Sequence, residues 1–415
     1  MTAFATLPPD ASPLRFVLVG AGGRAPAWIQ AVRSCRDAVL VGIVDIDLAS
    51  AEAVRAEAGL DDVAVGESLA AIASATEAQA VINATVPKAH LPVSVEALFR
   101  GLPVLCEKPL APSVREGLLL VAAAEASRQL LAVSQTRRYV HTLAALKALV
   151  RPLGDVGLLT TEFSMAPHFG GYREEMDHVL LLDMAIHAFD VARYLLDSDP
   201  VAVYCNEWNP RWSWYAAGAA ASAIFEFDGG ARYVYTGSWC SDGFETSWNG
   251  RWRVGCARGT ALWDGEAAPR VDVMAADAPS GVVGHQALGV SAEPSEAFGC
   301  GLEGADASLA EFIGALRTGV TPSCEVHSNI LSLAMVEAAV RSTESRERIT
   351  IRQILTDAHA DALERERNPG IRARLEAWPD PAAALGAPMT TPLAFIETAR
   401  QSCEGQSGAT GREPT

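Results

Sequence analysis

The sequence predicts an α/β domain with a parallel sheet, followed by an α+β domain with a large, open, mostly antiparallel sheet. Short apolar runs alternate with helix-length amphipathic segments from Leu14 to about Val150, which is typical of a buried parallel sheet flanked by helices. A glycine-rich turn follows the first of these runs. Beyond Leu153 the runs alternate polar and apolar residues, as strands with one solvated face do.

The α/β domain is predicted over residues 14–150, after a short N-terminal extension of residues 1–13. Its candidate strands are Arg15–Gly20, Val39–Asp45, Ala80–Ala84, Val104–Cys106 and Leu130–Ser134, and its candidate helices include Ala49–Ala58, Leu91–Gly101 and Val114–Ser127. Strands that alternate with helices predict right-handed crossovers and therefore a parallel sheet.

The α+β domain is predicted over residues 151–351. Its candidate strands are Val156–Phe163, Val201–Glu207, Ala219–Phe227, Ala231–Trp239 and Arg251–Val254. Asp228-Gly229-Gly230 between two of them predicts a hairpin turn. The stretch Ala267–Gly304, rich in Gly, Ala and Ser, predicts a long loop that could close over a site.

Residues 352–415 are predicted to form a C-terminal extension. The charged segment Arg352–Trp378 has a helical pattern, whereas the composition of Gly405–Thr415 predicts disorder.

Composition narrows the class of protein. The formal net charge of −17 argues against a nucleic-acid partner and against docking on an anionic membrane. Met1 to Pro13 lacks the basic start and apolar run of a signal peptide, and no stretch approaches the ~20 apolar residues of a membrane span. The eight cysteines are scattered singly, without metal-ligand spacing. We therefore expect a cytoplasmic protein with reduced thiols.

The turn after the first strand reads Gly20-Ala21-Gly22-Gly23-Arg24-Ala25, a match to the G-x-G-x-x-A dinucleotide motif in its required strand-to-helix context. Gly20 allows the tight turn, and Gly22 lets the backbone approach a diphosphate. Free N–H groups at the following helix start would bind the phosphates. The domain is therefore predicted to be a Rossmann domain.

Asp45 ends the second apolar run, 25 residues after Gly20, close to the ~20 expected for a ribose-binding acid. Such an acid accepts hydrogen bonds from the ribose 2′-hydroxyl and repels a 2′-phosphate, which favours NAD over NADP. The alternative role for Asp45 is an N-cap of the next helix, for which Asp47 is better placed.

Several further motifs, taken in order, are similar to those of one enzyme family. Glu107-Lys108-Pro109 ends an apolar strand, and the other matching stretches are Val81–His90, Gln135–Tyr139, Asp183–Asp190 and Ser308–Ile351. On these motifs the chain resembles the Gfo/Idh/MocA oxidoreductases over roughly Leu14–Ile351. It departs from them in having Asp177-His178-Val179-Leu180-Leu181-Leu182 where the family often has a glycine-rich run before the Asp-His helix.

Three residues from two of these motifs suit proton transfer. Lys108 follows a buried strand at the carboxyl edge of the sheet, where ligands bind in open α/β folds. Asp183 and His187 are four positions apart in an apolar segment, which predicts one shared helix face. Burying an acid and an imidazole there is costly unless they pair or serve a site. His187 has an ordinary pKa near ~6.5, suited to acid–base work near neutrality.

The resemblance implies a role for each residue of the site. Lys108, Asp183 and His187 are the expected catalytic group, in which His187 moves the hydroxyl proton while Lys108 and Asp183 position the hydroxyl. The expected cofactor contacts are Gly20, Ala21, Gly22, Gly23, Arg24, Asp45, Thr85, His90, Glu107, Lys108 and Gln135. Weaker candidates for substrate contacts are Arg138, Tyr139, His168, Tyr172 and Arg173. No metal is expected.

The sequence thus predicts an NAD-dependent dehydrogenase acting on a CH–OH carbon of a sugar, polyol or related small molecule. One alternative is a glycoside hydrolase or lyase that uses NAD without net redox change, and another is a non-catalytic cofactor-binding regulator. Seven of the nine tryptophans lie between Trp208 and Trp263, where they could stack on sugar rings or fill the sheet core or a subunit interface. The resemblance also implies a homodimer or homotetramer.

Overall fold

A computed structural model describes residues 4–7, 12–274, 285–288 and 302–385. Most of the Ala267–Gly304 stretch and all of Gly405–Thr415, for which a loop and disorder were predicted, lie outside these residues. In the described part of the first stretch, Arg270–Met274 and His285–Leu288 are strands rather than loop, and the two pair with each other. The described chain contains two sheets, and the predicted fold class is confirmed.

The first sheet has six parallel strands in the order β3-β2-β1-β4-β5-β6. Its strands are β1 (Leu14–Val19), β2 (Ala38–Val44), β3 (Ala64–Gly66), β4 (Ala80–Asn83), β5 (Val104–Cys106) and β6 (Leu131–Val133). The helices of this part are α1 (Ala25–Ser34), α2 (Leu48–Glu57), α3 (Leu69–Ala75), α4 (Pro87–Phe99), α5 (Val114–Ser127) and α6 (His141–Val150). Every strand points its carboxyl end at the same edge, which is where ligands bind in such sheets.

The second sheet has the order β14-β13-β12-β11-β7-β10-β9-β8-β15 within the described residues. Its strands are β7 (Val156–Ser164), β8 (Pro200–Trp208), β9 (Ala220–Phe227), β10 (Arg232–Ser238), β11 (Arg251–Cys256), β12 (Gly259–Trp263), β13 (Arg270–Met274), β14 (His285–Leu288) and β15 (Ile349–Thr350). All neighbours are antiparallel except β7 and β10. The predicted turn at 228–230 joins β9 to β10, with Gly229 and Gly230 at positive φ.

The remaining helices are α7 (Ile186–Leu196), α8 (Gly304–Thr318), α9 (Val326–Ser345), α10 (Ile351–Arg365), α11 (Pro369–Glu376) and α12 (Pro381–Leu385). Although α8 follows the second sheet in sequence, it packs on α1 of the first domain. Phe312 of α8 lies 6.4 Å from Phe16 of β1 between ring centroids. Helices α10 and α11 form the predicted helical extension, and both pack against α5.

Alternation along β1 divides the core of the first domain into two layers. Phe16 and Leu18 join the layer under α1 and α8, whereas Val17 and Val19 join the layer on the opposite side of the sheet. This is the period of two that a strand buried on both faces requires. The second layer continues under α5 and α9 into the second sheet, so the two sheets share one apolar core.

Helix α7 lies on the inner face of the second sheet. Phe189 packs edge-on against Phe225 of β9 and Tyr235 of β10, with centroids 4.7 and 5.3 Å away. The turn before α7, Leu180–Ala185, is a π-helix rather than the α-helix that the sequence predicted for Asp183 and His187. Such wider turns occur frequently at functional sites.

Candidate active site

The glycine-rich turn has the shape that a dinucleotide cradle needs. Gly20 has φ +103°, and a Cβ atom there would lie 2.7 Å from the backbone of Ala84, so only glycine fits. Around Gly22 and Gly23 no heavy atom lies within 4 Å of the added Cβ position. The turn therefore leaves open space beside its backbone, directly before α1, and it fits a diphosphate.

Asp45 lies beside this turn, at the carboxyl end of β2. Its Oδ2 accepts a hydrogen bond from Ala21 N at 2.7 Å, and its Oδ1 accepts one from Asp47 N at 2.9 Å. The N-cap of α2 is Asp47, whose side chain accepts from Ala49 N. Asp45 is thus free of the capping role and is fixed next to the turn.

Glu107, at the end of β5, connects this strand to the glycine-rich turn. Its buried carboxylate accepts hydrogen bonds from Arg24 Nε at 2.8 Å and from Trp28 Nε1 at 3.0 Å. The turn, α1 and the strand that carries Lys108 are therefore held together through one carboxylate oxygen.

His90 contacts the backbone of two loops of the protein. It lies in the first turn of α4, which begins at Pro87 because proline is favoured at the first helical position. Its fully buried ring contacts the carbonyl oxygens of Pro109 (2.8 Å) and Thr85 (3.1 Å). Both ring nitrogens face backbone oxygens, so the structure gives His90 internal partners, and its predicted cofactor contact stays a prediction. His90 positions the loops that carry Thr85 and Pro109.

Thr85 follows β4 and Gln135 follows β6, both at the carboxyl edge of the first sheet. The hydroxyl of Thr85 donates to Asn83 Oδ1 at 2.7 Å. Gln135 is buried, and its Nε2 has no hydrogen-bond partner among the described residues. Buried amide donors are normally paired, so this orphaned donor fits a polar group of a bound cofactor.

Lys108 and Asp183 meet at the boundary of the two domains. The Lys108 ammonium donates to the backbone oxygen of Asp183 at 3.0 Å and to its Oδ1 at 3.2 Å. Arg173 donates from Nε to the other carboxylate oxygen at 2.8 Å. Burial would raise the pKa of Asp183, but these two cations hold it below its usual range. Asp183 is therefore a carboxylate at neutral pH.

His187 is the second residue of α7 and is partly buried. Its Nδ1 atom is buried and has no hydrogen-bond partner among the described residues. Burial and then the positive charges of Arg137, Lys108 and Arg24 lower the pKa of His187 well below its usual value. The imidazole is therefore neutral at pH 7 and can accept a proton. The charges that act on it come from the glycine-rich turn, from β5 and from the segment after β6.

Arg137, which the sequence reasoning did not select, lies in this group. It stands in a 3-10 turn after β6, and its Nη2 is 3.5 Å from the sulfur of Met184. The signal in the sequence was the pair Arg137-Arg138, whose two members cannot be told apart without the fold.

Arg138 and Tyr139, predicted as substrate contacts, bond to other parts of the protein. Arg138 is buried and donates from two nitrogens to both oxygens of Asp190 at 2.7 Å, and from its third to the carbonyl of Ser323. The hydroxyl of Tyr139 donates to Glu311. The structure therefore gives both side chains internal partners and does not bring them to the group of Lys108 and Asp183, and their predicted substrate contacts stay predictions.

The three predicted substrate residues in the loop before Asp183 have different surroundings. Arg173 reaches Asp183, and its guanidinium lies 5.0 Å from the ring centroid of Tyr172. Tyr172 itself is 67% exposed. His168 stacks on Trp214, with centroids 3.7 Å apart. Of the three, only Arg173 contacts the catalytic group.

The tryptophans divide between core and surface. Trp239, Trp252 and Trp263 are buried in the core of the second sheet, whereas Trp212 is 73% exposed. The sheet-core interpretation therefore holds for these three buried residues.

The described residues contain neither a cluster of metal ligands nor a membrane-spanning helix. In that part of the chain no group of three or more His, Cys, Asp or Glu side chains has an arrangement that could hold a metal ion. Across residues 4–7, 12–274, 285–288 and 302–385, no helix combines the length and apolar character needed to cross a membrane.

Comparison with known proteins gives matches for both domains. A family model described as "Oxidoreductase family, NAD-binding Rossmann fold" (GFO/IDH/MocA) matches residues 14–135, and the GFO/IDH/MocA C-terminal domain matches residues 144–262. Protein y4oX of Sinorhizobium fredii, named as uncharacterized, is 26% identical over 351 residues, covering 81% of this chain and 95% of that protein.

Inositol 2-dehydrogenase 4 of Saccharopolyspora erythraea is 35% identical over 198 residues, which cover 46% of this chain and 56% of that enzyme. The match thus spans little more than half of that relative's length. Among solved structures, an oxidoreductase from Agrobacterium radiobacter in complex with NAD+, L-tartaric acid and magnesium superposes with a TM-score of 0.72 at 20% identity. This superposition covers 83% of this chain and all of that one, and it supports the fold.

Proposed function

Since the chain belongs to the Gfo/Idh/MocA oxidoreductase family and has its NAD-binding Rossmann domain, we propose that it transfers a hydride between NAD and a hydroxyl-bearing carbon of a sugar, a polyol or a related small molecule. The observation that carries the proposal is the meeting of Lys108 with Asp183 beside a neutral His187. This group stands at the carboxyl edge of the cofactor-binding sheet.

The chain's own residues supply the proton chemistry. The neutral imidazole of His187 accepts the hydroxyl proton. The Lys108 ammonium stabilises the negative charge that develops on the substrate oxygen, and Asp183 holds that ammonium in place. When bound, NAD would supply the acceptor for the hydride of the same carbon; loss of that hydride and of the hydroxyl proton turns the alcohol into a ketone.

Other residues hold the cofactor in this proposal. The backbone of Gly20 to Gly23 binds the diphosphate, and Asp45 accepts hydrogen bonds from the ribose. Gln135 donates to a polar group near the reacting end, and the Thr85 hydroxyl, whose own hydrogen goes to Asn83, accepts a hydrogen bond there. The ion pair between Arg24 and Glu107 holds the glycine-rich turn next to the end of β5, which carries Lys108.

The direct test is a panel of sugars and polyols, inositols and aldoses among them, with NAD+ and with NADP+, followed by absorbance of the reduced cofactor. We expect reduced cofactor with at least one compound. In the His187→Gln variant it should form about 100-fold more slowly or worse. His141→Gln is the matched control, because His141 is an exposed residue at the start of α6 and should leave the rate unchanged.

Adding glycosides with a good leaving group to the panel separates the competing functions. Release of a leaving group from a glycoside, with retained NAD and no accumulation of reduced cofactor, would identify the hydrolase or lyase. NAD binding without chemistry on any compound would identify a regulator. Either result would contradict the proposed dehydrogenase.

A second copy of the chain is the proposed partner of the outer face of the second sheet. Leu158, Tyr204 and Ile224 lie on this face and are 45%, 49% and 49% exposed, and Tyr204 and Ile224 pair directly across β8 and β9. Light scattering should give a dimer or tetramer. A monomer at all concentrations would contradict this part of the proposal.

A further inference from the structure

The positive charges around His187 outnumber the carboxylates that neutralise them. Lys108 and Arg173 share the single carboxylate of Asp183. Arg24 is paired with Glu107. Arg137 has no carboxylate within salt-bridge distance among the described residues, and its one side-chain contact there is the sulfur of Met184.

The position of Arg137 is unusual for an arginine with a structural role. It is partly buried, and burial lowers the pKa of its guanidinium to about 10, so the group stays charged at neutral pH. Holding a charge away from water without a counterion is costly. The next residue shows the usual solution, because Arg138 is buried against Asp190 with two hydrogen bonds. Among the described residues, Arg138 has a carboxylate counterion and Arg137 has none.

Arg137 also lies close to the proposed catalytic group. Its positive charge is one of three that lower the pKa of His187. Its guanidinium contacts the residue that follows Asp183. Any molecule that places a hydroxyl between Lys108 and His187 therefore comes close to Arg137.

We propose that Arg137 binds a negatively charged oxygen group of the substrate, a carboxylate or a phosphate, close to the hydroxyl that is oxidised. A guanidinium donates two parallel hydrogen bonds to such a group and remains charged throughout. The substrate is then a sugar acid, a hydroxy acid or a sugar phosphate rather than a neutral polyol. This inference rests on the proposed function, because it assigns the substrate class of the same site.

The test measures binding and turnover of three matched compounds: glucose, glucuronate and glucose-6-phosphate. Each is added to the full chain with reduced cofactor for Kd by calorimetry, and with NAD+ for turnover. The variants are Arg137→Met, which removes the charge at similar length, and Arg137→Lys, which keeps the charge. Arg100→Met is the control, because Arg100 is an exposed residue at the end of α4.

We expect at least one anionic compound to bind more tightly than glucose. Its Kd should rise by about 30-fold or more in Arg137→Met, rise less in Arg137→Lys, and stay unchanged in Arg100→Met. The carboxylate and the phosphate compounds show which anion is preferred. Equal binding of all three by the unmodified protein, or a preference that survives in Arg137→Met, would overturn the inference; the first result needs no variant to fold.

The two readouts separate this inference from the proposed function. Turnover of glucose alone, with no preference for anions, would reject the anion site and leave the dehydrogenase standing. Arg137-dependent binding of an anion without reduced cofactor from any compound would keep the anion site and reject the dehydrogenase.

Discussion

Lys108 of the first domain and Asp183 of the second, 75 positions apart in sequence, are joined by two hydrogen bonds from one ammonium group, to the Asp183 backbone oxygen at 3.0 Å and to its Oδ1 at 3.2 Å. The strand end that carries Lys108 belongs to the cofactor sheet, whereas the π-helical turn that carries Asp183 covers the second sheet. The proposed catalytic group thus depends on how the two domains pack.

Replacing Asp183 by Asn tests this contact. The amide keeps the shape but removes the charge that holds Lys108 and Arg173, so we expect kcat to fall by about 100-fold or more. The Kd for NAD should change little, because the glycine-rich turn and Asp45 are untouched. Steady-state kinetics and cofactor titration check both values, and near-normal turnover would reject the role of Asp183.

The pH dependence of kcat/KM tests the charge around His187. The lowered pKa of His187 keeps the ring neutral down to acidic pH. The acid limb of the kcat/KM profile, where activity falls as His187 becomes protonated, should therefore lie below pH about 6.5. Removing one positive charge in Arg137→Met should raise this pKa and move the acid limb to higher pH. A limb that stays in place, or moves to lower pH, would contradict the assigned electrostatics; Arg100→Met should not move it.

Asp45 is the predicted determinant of NAD over NADP. Asp45→Ser removes the carboxylate that repels a 2′-phosphate, so the ratio of kcat/KM for NAD to that for NADP should fall by about tenfold or more. Asp47→Ser is the matched control, since Asp47 caps α2 two residues later. An unchanged ratio in Asp45→Ser would show that another residue selects the cofactor.

His327 couples stability to pH at the junction of α5, α9 and the C-terminal helices. Its ring lies 3.0 Å from Glu125 and 2.8 Å from Glu325, and Trp378 donates to the second oxygen of Glu125. Burial opposes the charged ring, but the two carboxylates outweigh it and raise the pKa of His327 to about 10.

Because the folded pKa lies above the ordinary value, this contribution to stability is complete below pH about 6.5 and is lost as pH rises through about 10. His327→Gln should therefore lower the free energy of unfolding by about 1–3 kcal/mol near pH 6 and by less above pH 10. Denaturant unfolding at both pH values checks this. His359→Gln is the control, because that ring contacts the carbonyl of Leu375 instead of two carboxylates; the same pH dependence in both variants would refute the assignment.

Local patterns made the first sheet and its turn predictable. The strands near Gly20 and Asp45 are continuous apolar runs, because both faces of a parallel strand are buried. Gly20 was predictable from the motif after the first strand, and its positive φ of +103° is the local reason that the position favours glycine.

Contacts between distant segments could not be predicted from local patterns. Arg137 and Arg138 are equivalent in a local pattern, and only the position of Asp190 decides which of them has an internal carboxylate partner. The contact of His90 with the carbonyl of Pro109, 19 positions away, has no local signal. The π-helical turn at Asp183 likewise has no signal in a pattern of Leu and Met residues.

Deuterium transfer tests the central claim most directly. The compound that gives reduced cofactor is prepared with deuterium on the hydroxyl-bearing carbon and incubated with NAD+ and the full chain, and the cofactor is analysed by mass spectrometry. We predict one deuterium in the reduced cofactor, formed about 100-fold more slowly in His187→Gln. Reduced cofactor without deuterium, or equal rates in the two proteins, would contradict the proposed reaction or the role of His187.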